Sequence, residues 1–284
     1  MRVAPPRVFG QAARSPRPTS GSPGADAHRQ TGFVLGGEVE LVIDALDYEA
    51  RIAEHLSGSK YRNQRVAAVL AMWSRGWLAR LEALHATETG NYAAGPPLVR
   101  SAADYLAASI SLLESDAGEW EEWLAEGGVA LAPQQHALEY RPHAFRSAET
   151  LANSPLVGRI YREATDLGMP HFGATLLLTG NESDPNRIAV TFADRDFHVG
   201  LSEIVLAWLM QLSLVQYREV LGSSLLLEPE TFDALAKQLE VRIGAAGGRA
   251  DRCRFETVEV DGVSRTIVSN FRRSPSSAAT RILM

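Results

Sequence analysis

The most restrictive feature of this sequence is a long stretch of helical periodicity over residues 61–115. Apolar side chains recur there every three or four residues, which places them on one side of an α-helix and turns that side toward a core. The pattern is clearest at Val66, Val69, Leu70, Trp73, Trp77, Leu81 and Leu84. Thr89-Gly90-Asn91 interrupts it, and it resumes after Pro96-Pro97. The sequence therefore predicts two antiparallel helices joined by a short turn.

Further periodic stretches extend this helical pattern along the chain. They cover residues 38–53, 156–167, 199–221 and 229–243. The stretch 199–221 is the most apolar and is expected at the centre of the fold, and its polar residues, Glu203 among them, argue against a membrane span. We predict a mainly α fold, a helical bundle of about five to seven helices.

Two segments of the chain have the composition of strands. Asp261-Gly262 separates two β-branched runs, which is typical of a β-hairpin with a type I′ turn. A small C-terminal β-hairpin is therefore predicted beside the bundle. Residues 187–192 are too short and too β-branched for a helix, so they are predicted to form a strand or an extended connector.

Composition divides the chain into four parts. Residues 1–32 are rich in Pro, Ser, Ala, Gly and Arg without periodicity, and they are predicted to form a disordered leader. The helical bundle domain is expected over residues 33–244 and the β-hairpin appendage over residues 245–273. Residues 274–284 are predicted to be a disordered tail.

Charge and cysteine content exclude several classes of function. The formal net charge of −6 gives no general attraction for nucleic acid or for an anionic membrane. Cys253 is the single cysteine, so no disulfide framework can form and a reducing cytoplasm is the expected compartment. Gly-rich phosphate loops, nucleophile elbows and His-Glu-x-x-His motifs do not occur in the sequence. No cofactor is therefore predicted.

Arg80 and His85 form the first candidate catalytic pair. Their Arg-x4-His spacing resembles the motif of HEPN-like (higher-eukaryote-and-prokaryote nucleotide-binding) ribonucleases, although Leu81 stands where that motif prefers a polar residue. The resemblance implies metal-independent RNA cleavage, in which the arginine binds phosphate and the histidine transfers a proton. Glu82 and His85 have the spacing of half a two-metal site, but no second Glu-x-x-His occurs, so no metal site is predicted.

A second candidate cluster combines Arg100 and Asp104 with His171 and Glu203. Arg100 and Asp104 lie one helical turn apart and can form an ordinary surface ion pair. Glu203 lies in the most apolar helix, where a buried carboxylate requires a partner such as arginine. The alternative hypothesis is thus a polar pocket that binds a small molecule or a metal.

Asp194, Asp196 and His198 precede the most apolar helix. Side chains of these types can bind a metal, but Asp at the start of a helix is typical of N-terminal capping. Capping is the preferred interpretation.

Three short motifs resemble a loose family of uncharacterised bacterial helical proteins. They are Thr89-Gly90-Asn91-Tyr92, the stretch 98–105 and Pro170-His171-Phe172-Gly173. These proteins resemble abortive-infection and HEPN-like bundles, and the similarity covers residues 38–221. The resemblance implies roles for Arg100, Asp104 and His171, with Asp104 standing where the family more often has Glu.

Three functional hypotheses follow from the sequence. The first is a non-enzymatic cytoplasmic interaction module in stress or phage defence, bound to an unknown protein or to a second copy of the chain. The second is the ribonuclease, the only hypothesis with a nucleic-acid partner, and the third is the pocket protein. An exposed apolar patch would favour the first hypothesis. Arg80 and His85 lying together in a dimer cleft would favour the second, and convergence of the second cluster on a cavity would favour the third.

Overall fold

The computed structural model describes residues 11–55, 64–114, 147–180, 182–184, 186–223 and 230–283. Within these ranges the chain forms nine helices and a three-stranded sheet, which confirms the predicted mainly α fold. The elements are α1 (Ala25–Val34), α2 (Gly36–His55), α3 (Gln64–Glu88), α4 (Gly95–Glu114), α5 (Ser147–Asn153), α6 (Pro155–Gly168), α7 (Phe172–Thr179), α8 (Val199–Gly222), α9 (Glu230–Gly247), β1 (Arg254–Val260), β2 (Val263–Phe271) and β3 (Thr280–Leu283).

The predicted antiparallel pair is confirmed by α3 and α4. Arg65 near the start of α3 donates from Nε to the carbonyl of Leu112 near the end of α4, at 2.5 Å. Trp73 is buried, and Trp77 is partly buried with its Nε1 donating to the Leu46 carbonyl at 2.9 Å. Gly90 turns the chain at a φ of 69°, where a Cβ atom would lie 2.2 Å from the Arg195 carbonyl oxygen. The turn therefore requires glycine.

Helix α8 lies at the centre of the bundle, as its apolar composition predicted. It packs against α2, α3, α4, α6 and α9. Among the described helices, α8 is the one that is long and apolar enough to cross a membrane by length and composition. Of its most apolar window, 78% is buried inside the fold, which is the character of a core helix.

The C-terminal sheet shares the core of the bundle. Asp261 and Gly262 both have positive φ between β1 and β2, which confirms the predicted hairpin turn. The sheet docks on the start of α8, where Val199 and Gly200 donate backbone N–H groups to the carbonyls of Arg273 and Arg272 at 3.2 and 2.9 Å. These bonds satisfy helix N–H groups that have no partner within the helix.

The prediction of a disordered leader over residues 1–32 is wrong for the part that the structure describes. Helix α1 begins inside this segment, and the preceding residues bind the bundle through carboxylates. Ala12 donates its backbone N–H to Asp47 at 2.9 Å, and Ser15 donates its backbone N–H to Glu88 at 2.7 Å. Composition could not indicate this order, because the acceptors lie far away in the sequence. Residues 1–10 lie outside the described residues.

The predicted disordered tail over residues 274–284 is also corrected. Strand β3 pairs antiparallel with β2, so the sheet has the order β1-β2-β3 instead of a hairpin alone. The nine described helices exceed the predicted number because α1, α5 and α7 were not expected. Helices α5 and α7, like strand β3, are too short to give a recognisable period.

Candidate functional site

Arg80 of the predicted catalytic pair lies inside the bundle. Its guanidinium donates from Nη1 to Glu49 Oε1 at 2.5 Å and from Nη2 to Glu49 Oε2 at 2.6 Å. Nη1 also donates to Ser213 Oγ at 2.8 Å, and Nε donates to the Gly76 carbonyl at 3.2 Å. Trp73 Nε1 donates to the same carboxylate at 2.6 Å. This buried cluster joins α2, α3 and α8.

His85 lies apart from Arg80. Five residues along an α-helix turn through about 500°, so the two side chains point about 140° apart. The His85 ring is partly exposed, and its Nε2 lies 2.8 Å from the Ala13 carbonyl oxygen. Arg80 is only 3% exposed, with its donors directed at protein acceptors. The single chain therefore does not bring Arg80 and His85 together, and their meeting in a dimer cleft stays a prediction.

Arg100 of the second cluster lies at the interface of α4 and α6. Arg100 Nη2 donates to Tyr161 Oη at 2.8 Å, and the guanidinium lies 5.0 Å from the centroid of that ring. Within the described part of the chain, no ion pair joins Arg100 to Asp104. Burial raises the pKa of the Asp104 carboxyl, and Arg100 offsets part of this rise. Arg100 thus uses an aromatic partner from the neighbouring helix.

His171 and Glu203 lie in two further environments. His171 is exposed and caps α7, where its Nδ1 accepts from the Ala174 N–H at 3.3 Å. Glu203 is buried beneath the sheet, and its Oε2 accepts from the Cys253 N–H at 2.9 Å. Arg272 approaches Glu203 Oε1 to 3.4 Å and supplies the predicted arginine partner. The four predicted binding residues do not converge on one pocket.

Burial also controls the acid–base state around Glu203. It raises the pKa of the Glu203 carboxyl, while the Cys253 N–H and the Arg272 guanidinium oppose the rise. Burial raises the pKa of the Cys253 thiol to about 12, with Glu203 adding to the effect. A thiol with so high a pKa is a poor nucleophile at neutral pH. Cys253 and Glu203 therefore connect α8 to the sheet without forming a reactive pair.

His198 caps α8, so the helix start is capped as expected, but by the histidine and not by an aspartate. Its Nδ1 accepts from the Leu201 N–H at 3.4 Å, so the ring proton resides on Nε2, which is buried without a partner. Burial lowers the pKa of His198 to about 4, and Arg273 contributes to the decrease. Tyr92 Oη accepts from the His198 N–H at 2.9 Å and lies 2.9 Å from Ser202 Oγ. This network fixes the start of α8.

Metal ligands do not gather in the part of the chain that the structure describes. No group of three or more His, Cys, Asp or Glu side chains there could hold a metal ion. Asp194 Oδ1 instead accepts from the Asp196 backbone N–H at 2.8 Å, in a local turn.

A polar cleft of about 540 Å³ lies beside α1. Basic side chains line it, but two of them are already paired with carboxylates. Arg14 binds the buried Glu88 at 2.7 Å, and Arg29 binds Asp26. Of the basic lining residues, Arg17 and His28 have no described side-chain partner. The cleft therefore has little net positive charge with which to recognise an anion.

Exposed apolar side chains are prominent on residues 187–192, the segment predicted to form a strand or an extended connector. Ile188, Val190 and Phe192 are 60%, 64% and 97% exposed, and we call these three residues the apolar edge. Between them, Ala189 exchanges hydrogen bonds with Ser183 Oγ at 3.0 and 3.3 Å. Thr191 donates its N–H to the Thr179 carbonyl at 2.8 Å.

Bonded and unbonded residues therefore alternate over residues 188–191, and Phe192 and Ala193 form a turn at the end of this segment. Ala189 and Thr191 direct their backbone groups toward the protein. No hydrogen bond of the apolar edge is found in the described part of the chain.

An apolar cleft adjoins the apolar edge. It has a volume of about 500 Å³ and lies between α7 and the sheet, with Leu176, Leu177, Ile188, Phe271 and Ile282 among its lining residues. Further apolar side chains are exposed on the same helix and just before it, where Phe172 is 74% and Met169 is 51% exposed. The cleft and the apolar edge share Ile188, so they form one continuous surface.

Sequence reasoning did not identify this surface as a site. Alternation of Ile188, Val190 and Phe192 in the sequence predicted an extended segment but gave no partner for it. The signal that could have identified the site is the combination of strand-like residues with no neighbouring strand pattern.

Comparison of the chain with protein-family models, with curated proteins and with solved structures finds no match. The resemblance to HEPN-like and abortive-infection bundles therefore stays a prediction.

Replacing Arg80 by Met is expected to destabilise the fold strongly. The substitution leaves the fully buried Glu49 carboxylate without its arginine, and breaking a buried ion pair in this way costs about 3–5 kcal/mol. Arg218→Met provides a matched control, because Arg218 pairs with Glu240 on the surface, where a pair contributes at most about 1 kcal/mol. Denaturant unfolding at neutral pH measures the free energy of unfolding of each variant. An equal decrease in this free energy for the two variants would show that the Glu49 and Arg80 pair is not buried.

His198 is expected to make stability depend on pH. The unfolded imidazole takes up a proton near its ordinary pKa of 6.5, whereas the folded ring does so only near pH 4. The free energy of unfolding should therefore fall as pH decreases from 6.5 to 4, by about 3 kcal/mol in total.

The variant His198→Asn retains a capping acceptor but cannot titrate, so the difference between wild type and variant isolates this effect. Glu163 and Glu203, whose pKa values are raised by burial, contribute a change of opposite sign in both proteins. Parallel stability profiles for wild type and His198→Asn between pH 4 and 6.5 would contradict the lowered pKa.

Proposed function

We propose that this chain is a non-enzymatic protein-interaction module whose docking surface is the apolar edge with its adjoining cleft. The observation that carries the proposal is the exposure of Ile188, Val190 and Phe192 along a segment whose backbone groups at these three residues have no described partner. Single exposed apolar residues are common on protein surfaces. Three in alternation beside an apolar cleft indicate a binding surface.

The free energy available at this surface is sufficient for specific binding. Full burial of a side chain the size of Val, Ile or Phe stabilises a complex by about 1.5–3 kcal/mol. Pairing of the open backbone groups adds hydrogen bonds that also fix the direction of the partner. The preferred partner is thus an extended segment with alternating apolar side chains, bound as an added strand.

The positions of the other candidate residues support this choice. Arg80 is bonded to Glu49 and Ser213 in the core, where it cannot contact an RNA phosphate without unfolding. His171 caps α7 and Glu203 contacts the sheet, so a shared polar pocket has no geometric support. A setting in stress or phage defence rests on the resemblance alone and stays a prediction.

Peptide selection tests the docking surface directly. Peptides are selected from a random displayed library against the full chain, and their affinities are then measured by fluorescence anisotropy. Val190→Lys should weaken binding about tenfold or more, because a charge replaces a buried apolar contact. Val241→Lys is the matched control, since Val241 is 72% exposed on α9, away from the cleft lining.

Two results would contradict the proposed function. One is a selection that yields no binding peptide. The other is a set of peptides whose affinities are the same for wild type and for Val190→Lys. Circular dichroism of each variant verifies that the helical content is unchanged, as expected for substitutions at exposed positions.

A further inference from the structure

We infer that the partner of this docking surface carries a single carboxylate, which binds the guanidinium of Arg273 in the apolar cleft. This inference rests on the proposed function and names the chemistry of the partner at the same surface. Arg273 lies just after the end of β2 and lines the cleft. Among the lining residues that the structure describes, it is the one with a charge at neutral pH. A few polar groups in an apolar site commonly fix the orientation of a ligand.

The other polar side chains that line the cleft are already bonded within the chain. Ser183 Oγ accepts from a backbone N–H at 3.0 Å, and Ser277 Oγ accepts from another at 3.0 Å. Thr280 Oγ1 donates to a backbone carbonyl at 2.8 Å. These hydroxyl groups hold the walls of the cleft together, which leaves Arg273 to recognise a polar group of the partner.

The guanidinium of Arg273 has no bonded acceptor. The residue is exposed, and no ion pair or hydrogen bond of its side chain is found in the described part of the chain. Its backbone carbonyl accepts from the Val199 N–H at 3.2 Å, so the main chain at this position is held in place. Partial burial lowers the pKa of Arg273, because protein replaces water around the charge without supplying an acceptor. A planar guanidinium can bind both oxygens of a carboxylate.

The charges beside the cleft limit the partner to one carboxylate. Residues 182–196 contain four acidic and two basic side chains, which are Glu182, Asp184, Asp194, Asp196, Arg187 and Arg195. None of the six is among the described lining residues. Glu182 and Asp194 raise the pKa of Arg273 through their charge, yet neither forms an ion pair with it in the described part of the chain.

This net negative charge repels a partner with several carboxylates. One carboxylate in direct contact with Arg273 gains more from that short distance than it loses to the more distant acidic groups, because the energy between two charges falls as their separation grows. The partner is therefore an apolar segment with one acidic group among uncharged residues.

Apolar contacts bring this carboxylate to Arg273. Ile188 belongs to both the apolar edge and the cleft, so an extended segment bound at the edge continues into the cleft. Leu176, Leu177 and Ile282 in the cleft walls exclude water from the bound carboxylate, and an ion pair with less water around it is stronger. The apolar contacts thus supply affinity, and the carboxylate supplies specificity.

Affinity measurements with the selected peptides and the full chain test this inference. Each carboxylate of the tightest peptide, whether a side chain or the C-terminus, is replaced in turn by its amide. One replacement is expected to weaken binding to wild type about tenfold or more. Arg273→Gln should weaken binding of the unmodified peptide by a similar factor. In Arg273→Gln the same amide replacement should have little further effect, because the charged group that it contacts is absent.

Arg281→Gln is the matched control. Arg281 is exposed on β3 and is not among the described lining residues, so this variant should keep the wild-type preference for the carboxylate. Circular dichroism of Arg273→Gln should match that of wild type, since the replaced side chain has no described bond. The amide replacements in the peptide are measured on wild type as well, so they test the inference without any variant of the chain.

Four results would overturn the inference. Peptides that bind in a Val190-dependent manner but tolerate every amide replacement refute the carboxylate and leave the proposed function intact. A carboxylate whose replacement weakens binding equally in wild type and in Arg273→Gln binds another group. An equal loss of preference in Arg281→Gln would show that net charge is responsible instead of contact with Arg273. A selection that yields no binding peptide refutes both the inference and the proposed function.

Discussion

The buried ion pair between Glu49 and Arg80 fixes the arrangement of the helices on which the rest of the structure depends. Each guanidinium nitrogen donates to an acceptor, and the same carboxylate accepts from Trp73. A buried charge is tolerated only when its partner and its hydrogen bonds are in place. The pair therefore permits one relative position of α2 and α3, and Ser213 adds α8 to the same cluster.

Because the core uses Arg80 in this way, we propose that function lies where the chain leaves hydrogen-bonding groups and apolar area open. The segment between α7 and α8 is held by a few bonds from Ala189 and Thr191, and it presents its apolar edge outward. The sheet and α7 form the walls of the adjoining cleft. A well-packed core that carries an exposed apolar segment is a suitable scaffold for recognition of an added strand.

Local patterns in the sequence predicted the helices and the hairpin, whereas long-range partners could not be predicted. The stripe through Trp73 and Trp77 and the turn at Asp261-Gly262 depend on residues close in the chain, so periodicity and turn chemistry were sufficient. Arg80 depends on Glu49, 31 residues away, and its spacing to His85 suggested a catalytic role instead. The order of residues 11–24 likewise depends on distant carboxylates. Spacing along a helix gives the face of a residue but not its partner.

The most direct test is amide hydrogen exchange, measured residue by residue on dilute monomeric protein. It tests whether the core amides are hydrogen-bonded while the amides of the apolar edge have no acceptor. The amide of Thr191 donates to the Thr179 carbonyl, so it should exchange more slowly than the neighbouring amide of Val190, which has no described acceptor. Amides in α8 should be the slowest. A Val190 amide as protected as that of Thr191 would contradict the account, because the edge would then already be paired within the chain.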